Sequence, residues 1–308
     1  MNAAPLKTII PPALRRGDHV ALIAPSGPLN ADINIGMQWL RDAGLRVVCA
    51  ADIRRRHNYL AGVDSRRLQE LHGCFSDTNI KAVMAVRGGF GSARLLPFVD
   101  FELIAENPKI LLGFSDLTAL LNAITFKTGL ITWHGPMLST IMRVGRPALD
   151  SSLVVLGTCR PSPLKVKGLE IIRPGQAAGR LMGGNLTTLV HLLATPYEPN
   201  WQQTILFIED INEPPYRVDR LLTHLQQAGR LEQVAGVIVG GFLNSDLRTL
   251  ADIELIWQRV LELTGEGVPV WANFPVSHGI DNVMLPVGAS VLMDSGAGVL
   301  RFQEDCLT

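Results

Sequence analysis

Lys109-Ile-Leu-Leu-Gly-Phe-Ser-Asp-Leu-Thr118 is the stretch on which the fold turns. Ile110–Gly113 is a short, wholly apolar run, as expected of a strand covered on both faces. A helix over residues 116–127 follows at once, so the chain must turn sharply at Phe114 and Ser115. The same alternation extends in both directions. Upstream, a strand over 19–24 ends in the turn signal Pro25-Ser-Gly-Pro28. A helix over 33–43 follows, with Ile33, Met37 and Leu40 on one face and Gly44 as its stop. Next come a strand over 45–49, a helix over 64–74 with Leu68 and Leu71 inward, and a strand over 82–86. That strand breaks off in Arg87-Gly-Gly-Phe-Gly91. Downstream, a strand over 130–133 leads into His134-Gly-Pro136. Short apolar strands separated by helices imply an α/β fold with a mostly parallel sheet covered on both faces. In such sheets ligands gather beyond the carboxyl ends of the strands, where the glycine loop, Ser115 and His134 all stand.

The bulk properties fit this architecture. The chain has 308 residues, enough for two ordinary domains, and 47% hydrophobic against 18% charged residues excludes a disordered chain. Lys plus Arg and Asp plus Glu are both 28, which gives no support for a nucleic-acid partner. Arg54-Arg55-Arg56 reads as a solvated loop or helix start. No secretory leader and no membrane span are expected, and Cys49, Cys74, Cys159 and Cys306 stand apart with no CxxC, so a cytoplasmic setting is expected. Prolines 147, 161, 163 and 174 break the periodicity in mid-chain. The expected division is therefore a first domain over 1–145, a linker over 146–176 and a second, mixed α/β domain over 177–308. The second contains Gly183-Gly-Asn185, a helix over 186–193, a strand over 204–208 and a helix over 217–228. A strand over 234–239, a helix over 246–263, a segment over 268–274 and a strand-like tail over 289–302 follow.

Ser115 sits where a strand-to-helix turn can project a hydroxyl beside backbone N–H groups, which suits a nucleophile with an oxyanion hole. The competing reading is a helix cap, a common role for serine. The loop at 87–91 is neither a P-loop nor a GxGxxG fingerprint. It can supply an N–H donor, Gly89 being the better placed, or be a plain turn. A serine nucleophile needs a base. Of seven histidines, His134 and His278 lie in loops, while His19 begins a strand and His72, His191 and His224 lie inside helices, which fits structural or surface roles. An acid to orient the base is available in Ile208-Glu-Asp-Ile-Asn-Glu213. Glu209 ends a strand, Asp210 faces the other way by pleating, and Glu213 is the runner-up. These acids can equally cap the next helix or pair with Arg217 and Arg220. Glu209, His134 and His278 form a zinc triad only on paper, since no HExxH or similar pair exists. No cysteine occupies a strand-to-helix turn beside the glycine loop.

As an ordered set these segments resemble the LD-carboxypeptidase family, the S66 serine peptidases. The resemblance rests on Arg15-Arg-Gly-Asp-His-Val-Ala-Leu-Ile-Ala-Pro-Ser-Gly-Pro28, Arg87-Gly-Gly-Phe-Gly91, Gly113-Phe-Ser-Asp116 and His134-Gly-Pro136. It continues through Gly183-Gly-Asn185, Phe207-Ile-Glu-Asp210 with Glu213-Pro-Pro-Tyr-Arg-Val-Asp-Arg220, and Pro275-Val-Ser-His-Gly279. It implies an amino-terminal domain with a class I glutamine-amidotransferase-like (flavodoxin-like) parallel sheet, and a second domain supplying acid and base. By motif, Ser115 is the nucleophile, Glu209 the acid and His278 the base, with the N–H groups of Gly89 and Asp116 as oxyanion donors. The implied substrate is a murein tetrapeptide, cut between the L-centre of meso-diaminopimelate or lysine and a terminal D-alanine. No cofactor or metal is implied, no membrane or nucleic acid takes part, and a homodimer is suggested. One branch of the family instead hydrolyses peptidyl or aminoacyl nucleotides of the microcin C type, and the compact length here favours the cell-wall role. An amidotransferase-like or esterase-like hydrolase and a silent binding protein are the readings outside the peptidases. Arg87, Trp133 and Asn185 are the expected substrate-side residues, against bracing, core and turn roles respectively.

Overall fold

The computed structural model describes residues 7–244 and 249–308, with side chains for all of these except 141–149 and 251. The first half lays down β1 (His19–Ile23), α1 (Asn34–Asp42), β2 (Arg46–Cys49), α2 (Asp64–Ser76) and β3 (Ile80–Ala85). It continues with α3 (Phe101–Glu106), β4 (Ile110–Gly113), α4 (Thr118–Thr128), β5 (Thr132–His134) and α5 (Leu138–Leu156). The second half contains β6 (Leu164–Lys165), β7 (Glu170–Arg173), β8 (Gln176–Asn185), α6 (Leu186–Val190), β9 (Thr204–Ile211) and α7 (Pro215–Gln227). It ends with β10 (Gly236–Leu243), α8 (Leu250–Leu263), β11 (Val270–Ala272), β12 (Leu285–Val287), β13 (Ser290–Asp294) and β14 (Val299–Phe302).

The strands form two sheets. In the first the order is β12-β5-β4-β3-β1-β2, and β1 to β5 run parallel. The chain leaves β1 for β2 on one side and returns to β3 on the other, which opens a crevice above β1 and β3. The second sheet is mixed, in the order β6-β14-β13-β8-β9-β10-β11-β7, with a parallel centre from β8 to β11. One apolar cluster joins the two, running from Val20, Leu22, Met84, Leu112 and Trp133 to Phe207, Ile238, Trp271 and Met293.

The helix after Ser115, α4, is buried from Thr118 to Ile124. A helix buried all round shows no amphipathic stripe. It ends on Gly129 at φ 80°, the left-handed cap that glycine favours. Its first turn bonds to the second sheet. Asn122 Nδ2 donates to the Gly183 carbonyl (2.9 Å), and the Asn185 N–H donates to Thr118 Oγ1 (3.0 Å).

Residues 146–176 are not a bare linker. They contain the end of α5 and both β6 and β7, which pair with β14 and β11. Their prolines and glycines punctuate strands of two and four residues rather than a free connection. A second departure has more consequence: β12 comes from the carboxy-terminal part but joins the first sheet, antiparallel to β5. The first three residues of the helix expected over 246–263 lie outside the described residues. Among the described residues no helix is long and apolar enough to cross a membrane.

Candidate active site

Ser115 leaves β4 in the left-handed region at φ 63°. For a residue with a Cβ that conformation costs on the order of 1 kcal/mol and persists only where the surroundings enforce it. The cap reading fails on geometry. The position preceding α4 is Leu117, with no side-chain cap bond, and Ser115 Oγ caps no helix among the described residues. The glycine loop after β3 closes over the serine. A Cβ placed on Gly88 would lie 2.9 Å from Ser115 Cβ and 3.0 Å from Oγ, so glycine is what allows the two loops to meet.

Asp116 holds that loop in place. Its buried carboxylate accepts from Ser26 Oγ (2.5 Å), the Gly91 N–H (3.2 Å) and the Ser92 N–H (2.8 Å), and Ser92 Oγ donates to its carbonyl. Hydrogen bonds to a charged acceptor are worth about 1.5–3 kcal/mol each, so the loops after β1, β3 and β4 are locked as one unit. Neither the Asp116 N–H nor the Gly89 N–H donates to a group among the described residues. Two such donors flanking a strained serine are what an oxyanion site requires.

The candidate base and acid come from the second half of the chain. Glu209 lies near the end of β9, fully buried, with Oε2 at 2.7 Å from His278 Nδ1. The carboxylate accepts a hydrogen bond from the Nδ1–H, which fixes that tautomer and leaves Nε2 as the basic nitrogen. The His278 ring packs on Phe114, the residue before Ser115, with centroids 4.9 Å apart. The pair from the second sheet thus packs against the residue that precedes the serine on the first. Burial raises the Glu209 carboxyl above its ordinary range, against the pull of His278 and of the Asn185 amide. Glu213 stands elsewhere, near Arg217 (3.6 Å).

His134 is the second imidazole of the region and plays a different part. It is fully buried, edge-on to Phe114 (5.8 Å) and Phe207 (5.1 Å), and neither ring nitrogen makes a hydrogen bond within 3.5 Å among the described residues. Burial, and then the charge on His278, push its pKa down to about 3, while Asn282 pulls the other way. It is therefore neutral wherever an enzyme of this kind would work. Among the described residues no group of three His, Cys, Asp or Glu side chains is placed to hold a metal ion.

The three expected substrate-side residues hold structure instead. Trp133 is fully buried in β5, within the apolar cluster, and offers no surface to a ligand. Arg87 donates to the Pro28 carbonyl (2.9 Å) and to Asn30 Oδ1 (2.5 Å), bracing the loop after β1. Asn185, paired in register with Glu209, donates to Asp210 Oδ1 (2.7 Å) and accepts from the Thr188 N–H (3.0 Å). It caps α6 and steadies the strand end that carries Glu209.

Sequence reasoning missed the residues that deliver His278. β10 shifts register between Val239 and Phe242, and the Gly241 N–H donates to the Val276 carbonyl (2.9 Å). A Cβ on Gly240 would lie 2.3 Å from that carbonyl oxygen, so only glycine admits the base-bearing loop. A Gly-Gly pair inside an apolar strand was the available signal. The carboxylate role of Asp116 left no such trace.

Residues 20–135 match the model of the LD-carboxypeptidase N-terminal domain and 178–293 that of the LD-carboxypeptidase C-terminal domain. A protein of Bacillus subtilis (strain 168) named "probable murein peptide carboxypeptidase" is 37% identical over 92% of this chain and 91% of its own. The muramoyltetrapeptide carboxypeptidase of Oxalobacter formigenes superposes with a TM-score of 0.80 at 30% identity, over 92% of this chain and 97% of that one. The Escherichia coli microcin C7 self-immunity protein MccF is 29% identical, with 90% of this chain and 91% of that one covered. A solved structure of the microcin C7 protein MccF gives a TM-score of 0.89 at 27% identity, over 97% and 100% of the two chains.

Proposed function

The chain belongs to the LD-carboxypeptidase family, and from that premise we propose that it removes the terminal D-alanine of murein tetrapeptides by serine catalysis. The observation that carries the reading is the strained Ser115 beneath Gly88, with the Glu209–His278 pair packed on the neighbouring Phe114.

In this mechanism His278 Nε2 takes the Ser115 proton as Oγ attacks the carbonyl of the L-centre. The N–H groups of Gly89 and Asp116 receive the oxyanion, each such donor being worth ~10²–10³ in rate. His278 returns the proton to the departing D-alanine amine as the C–N bond breaks. Water then enters with the same histidine as base and hydrolyses the acyl-enzyme. Glu209 holds the imidazole in its tautomer and offsets its positive charge in a buried setting. The reaction needs no group beyond these side chains and water. We place it in the cytoplasm, in the turnover of cell-wall peptide, and in a homodimer.

The test is incubation with a tetrapeptide ending in L-centre–D-Ala, D-alanine being read by mass. Release should occur with the LD-peptide, fail with its LL counterpart, and fall by at least ~10³-fold in Ser115→Ala. Cleavage of an aminoacyl nucleotide with no release from any tetrapeptide would transfer the assignment to the microcin branch.

A further inference from the structure

Beside the glycine loop lies a cavity of about 370 Å³, lined by His57, Asn58, Tyr59, Asp64, Ser65 and Arg94 among others. It opens over the carboxyl edge of the first sheet, between the segment after β2 and the turn after β3. Clefts of roughly 300–1,000 Å³ are the size that takes small molecules. None of its lining residues serves the chemistry described above.

One aromatic residue, Tyr59, is in its lining, and Phe90 extends that edge by ring contact. Tyr59 and Phe90 are 59% and 56% exposed, and their rings meet edge to face at 5.7 Å. Two large aromatic groups held against each other in water call for an explanation, because the chain invests structure in keeping them there. Tyr59 rides a tight turn closed by reciprocal bonds between His57 and Leu60 (2.8 and 2.9 Å). Asn58 at its corner is left-handed, at φ 53°. The Ala61 N–H ties the turn to the Ser26 carbonyl (2.9 Å), and Leu60 sits under Gly91, where an added Cβ would lie 2.5 Å from it. The fully buried Arg67 bonds the carbonyls of Pro25 and Gly91 and the Asp64 carboxylate. The aromatic rim is thus fixed to the loops that frame Ser115.

We infer that this cavity is a saccharide subsite that takes the sugar ring at the amino end of a muramyl peptide, the C–H face of the ring packing on Tyr59 and Phe90. The inference rests on the murein-peptide reading above and extends it from the peptide to the sugar. Three features select a sugar. An aromatic face offers dispersion and apolar contact to pyranose C–H groups. Asn58, Asp64 and Arg94 supply amide, carboxylate and guanidinium groups for hydroxyls and an acetamido group. The guanidinium of Arg94 is paired with Asp64 (2.8 Å), which sets a donor beside an acceptor, the combination that hydroxyl groups match and a phosphate does not. Reach agrees as well. Three residues separate the scissile bond from the sugar, a span of about 10 Å when extended. Phe90 is two residues from Gly88, which touches the serine, so their Cα atoms are at most about 7.6 Å apart.

The experiment compares kcat/KM for a muramyl tetrapeptide and for the same tetrapeptide without sugar, in the native enzyme and in Tyr59→Ala. The native enzyme should favour the muramyl substrate by about tenfold, the scale of one aromatic packing contact. Tyr59→Ala should bring the ratio to near one, and Tyr59→Phe should restore it. Binding of the muramyl sugar alone, followed by the shift of Phe90 ring resonances, should occur in the Ser115→Ala protein and vanish in the Ser115→Ala, Tyr59→Ala protein. An equal ratio in the native enzyme, or a ratio untouched by Tyr59→Ala, overturns the subsite while leaving the peptidase intact. If neither peptide is cleaved the peptidase reading fails by itself, and the sugar titration then decides the subsite.

Discussion

Acid stability offers a direct test of the buried His134. An unfolded histidine titrates near 6.5, and in the folded chain burial and His278 hold His134 down to about 3. The unfolded state therefore binds this proton first. The folded state is fully favoured above the unfolded pKa and loses stability as the pH falls through the window between the two values. Between about pH 7.5 and about pH 5 this one group should remove about 2 kcal/mol, with a limiting slope near 1.4 kcal/mol per pH unit. Replacing His134 by Gln keeps a polar side chain in β5 and abolishes the titration. Other acid-sensitive groups, Glu209 among them, remain in both proteins and cancel in the difference. Denaturant unfolding of both proteins at the two pH values gives the quantity needed. The gap between native and His134→Gln should shift by about 2 kcal/mol in favour of the variant on acidification, whatever offset the substitution causes at neutral pH. A gap that is the same at both pH values would refute the argument that His134 stays neutral. The chemistry depends on that neutrality, since a second positive imidazole would oppose the charge His278 must carry in the transition state.

Four further outcomes follow from the site. Ser115→Gly should be about 1 kcal/mol more stable than Ser115→Ala, because only glycine relaxes at φ 63°, and unfolding midpoints will show it. Both variants should be inactive. Gly88→Ala should lower kcat by about 10²-fold with an unchanged circular-dichroism spectrum, since its Cβ would push Ser115 aside and small misplacements of reacting groups are costly. Glu209→Gln should cost ~10²–10⁴ in kcat and little in KM, the signature of a lost orienting acid, read by steady-state D-alanine release. Gly240→Ala should destabilise by about 1–3 kcal/mol and reduce kcat together, because the new methyl meets the Val276 carbonyl beneath the His278 loop; normal stability and activity would count against that packing.

Much of the first sheet was legible because its signals are local. Ile110–Gly113 is apolar at every position, and the helix after it begins where the pattern implies. Glu209 was legible as a strand-end carboxylate, although β9 runs on to Ile211 and the residue is buried rather than set at a rim. The failures share one cause, that pairing partners are chosen in three dimensions. β12 is three residues long and contains Pro286, which no periodicity can reveal; it is tolerated there because β12 is an edge strand. Strands β6 and β7 are too short to outweigh the prolines around them, so the stretch read as a linker. Trp133 was ambiguous because tryptophan serves cores and ligand clefts alike; only its lack of exposure decided the matter. His134 was visible as a histidine in a motif, while its neutrality depends on Phe114, Phe207 and His278, which come from three separate strands or loops.

The path of the chain through β12 ties together the two sheets that carry the proposed triad. His278 follows β11, and the backbone just before it is held to β10 by the bond from the Gly241 N–H to the Val276 carbonyl. Seven residues beyond His278, Leu285 pairs in register with His134 in the first sheet, next to the strand that delivers Ser115. The base is therefore anchored before it to the sheet of Glu209 and after it to the sheet of Ser115. Ser277 Oγ closes the span between, accepting from the Gly279 N–H (2.9 Å) and donating to the Asp281 carbonyl (2.9 Å). A histidine on a free interdomain loop would lose conformational entropy in each turnover on finding the serine. Here that cost is met during folding, when β12 covers the open edge of β5. The same pairing places Leu285 opposite His134, so the neutral imidazole and the base loop are fixed by one strand contact. In the proposed mechanism such preorganisation lowers the barrier, because the reacting groups need not be reassembled as charge develops.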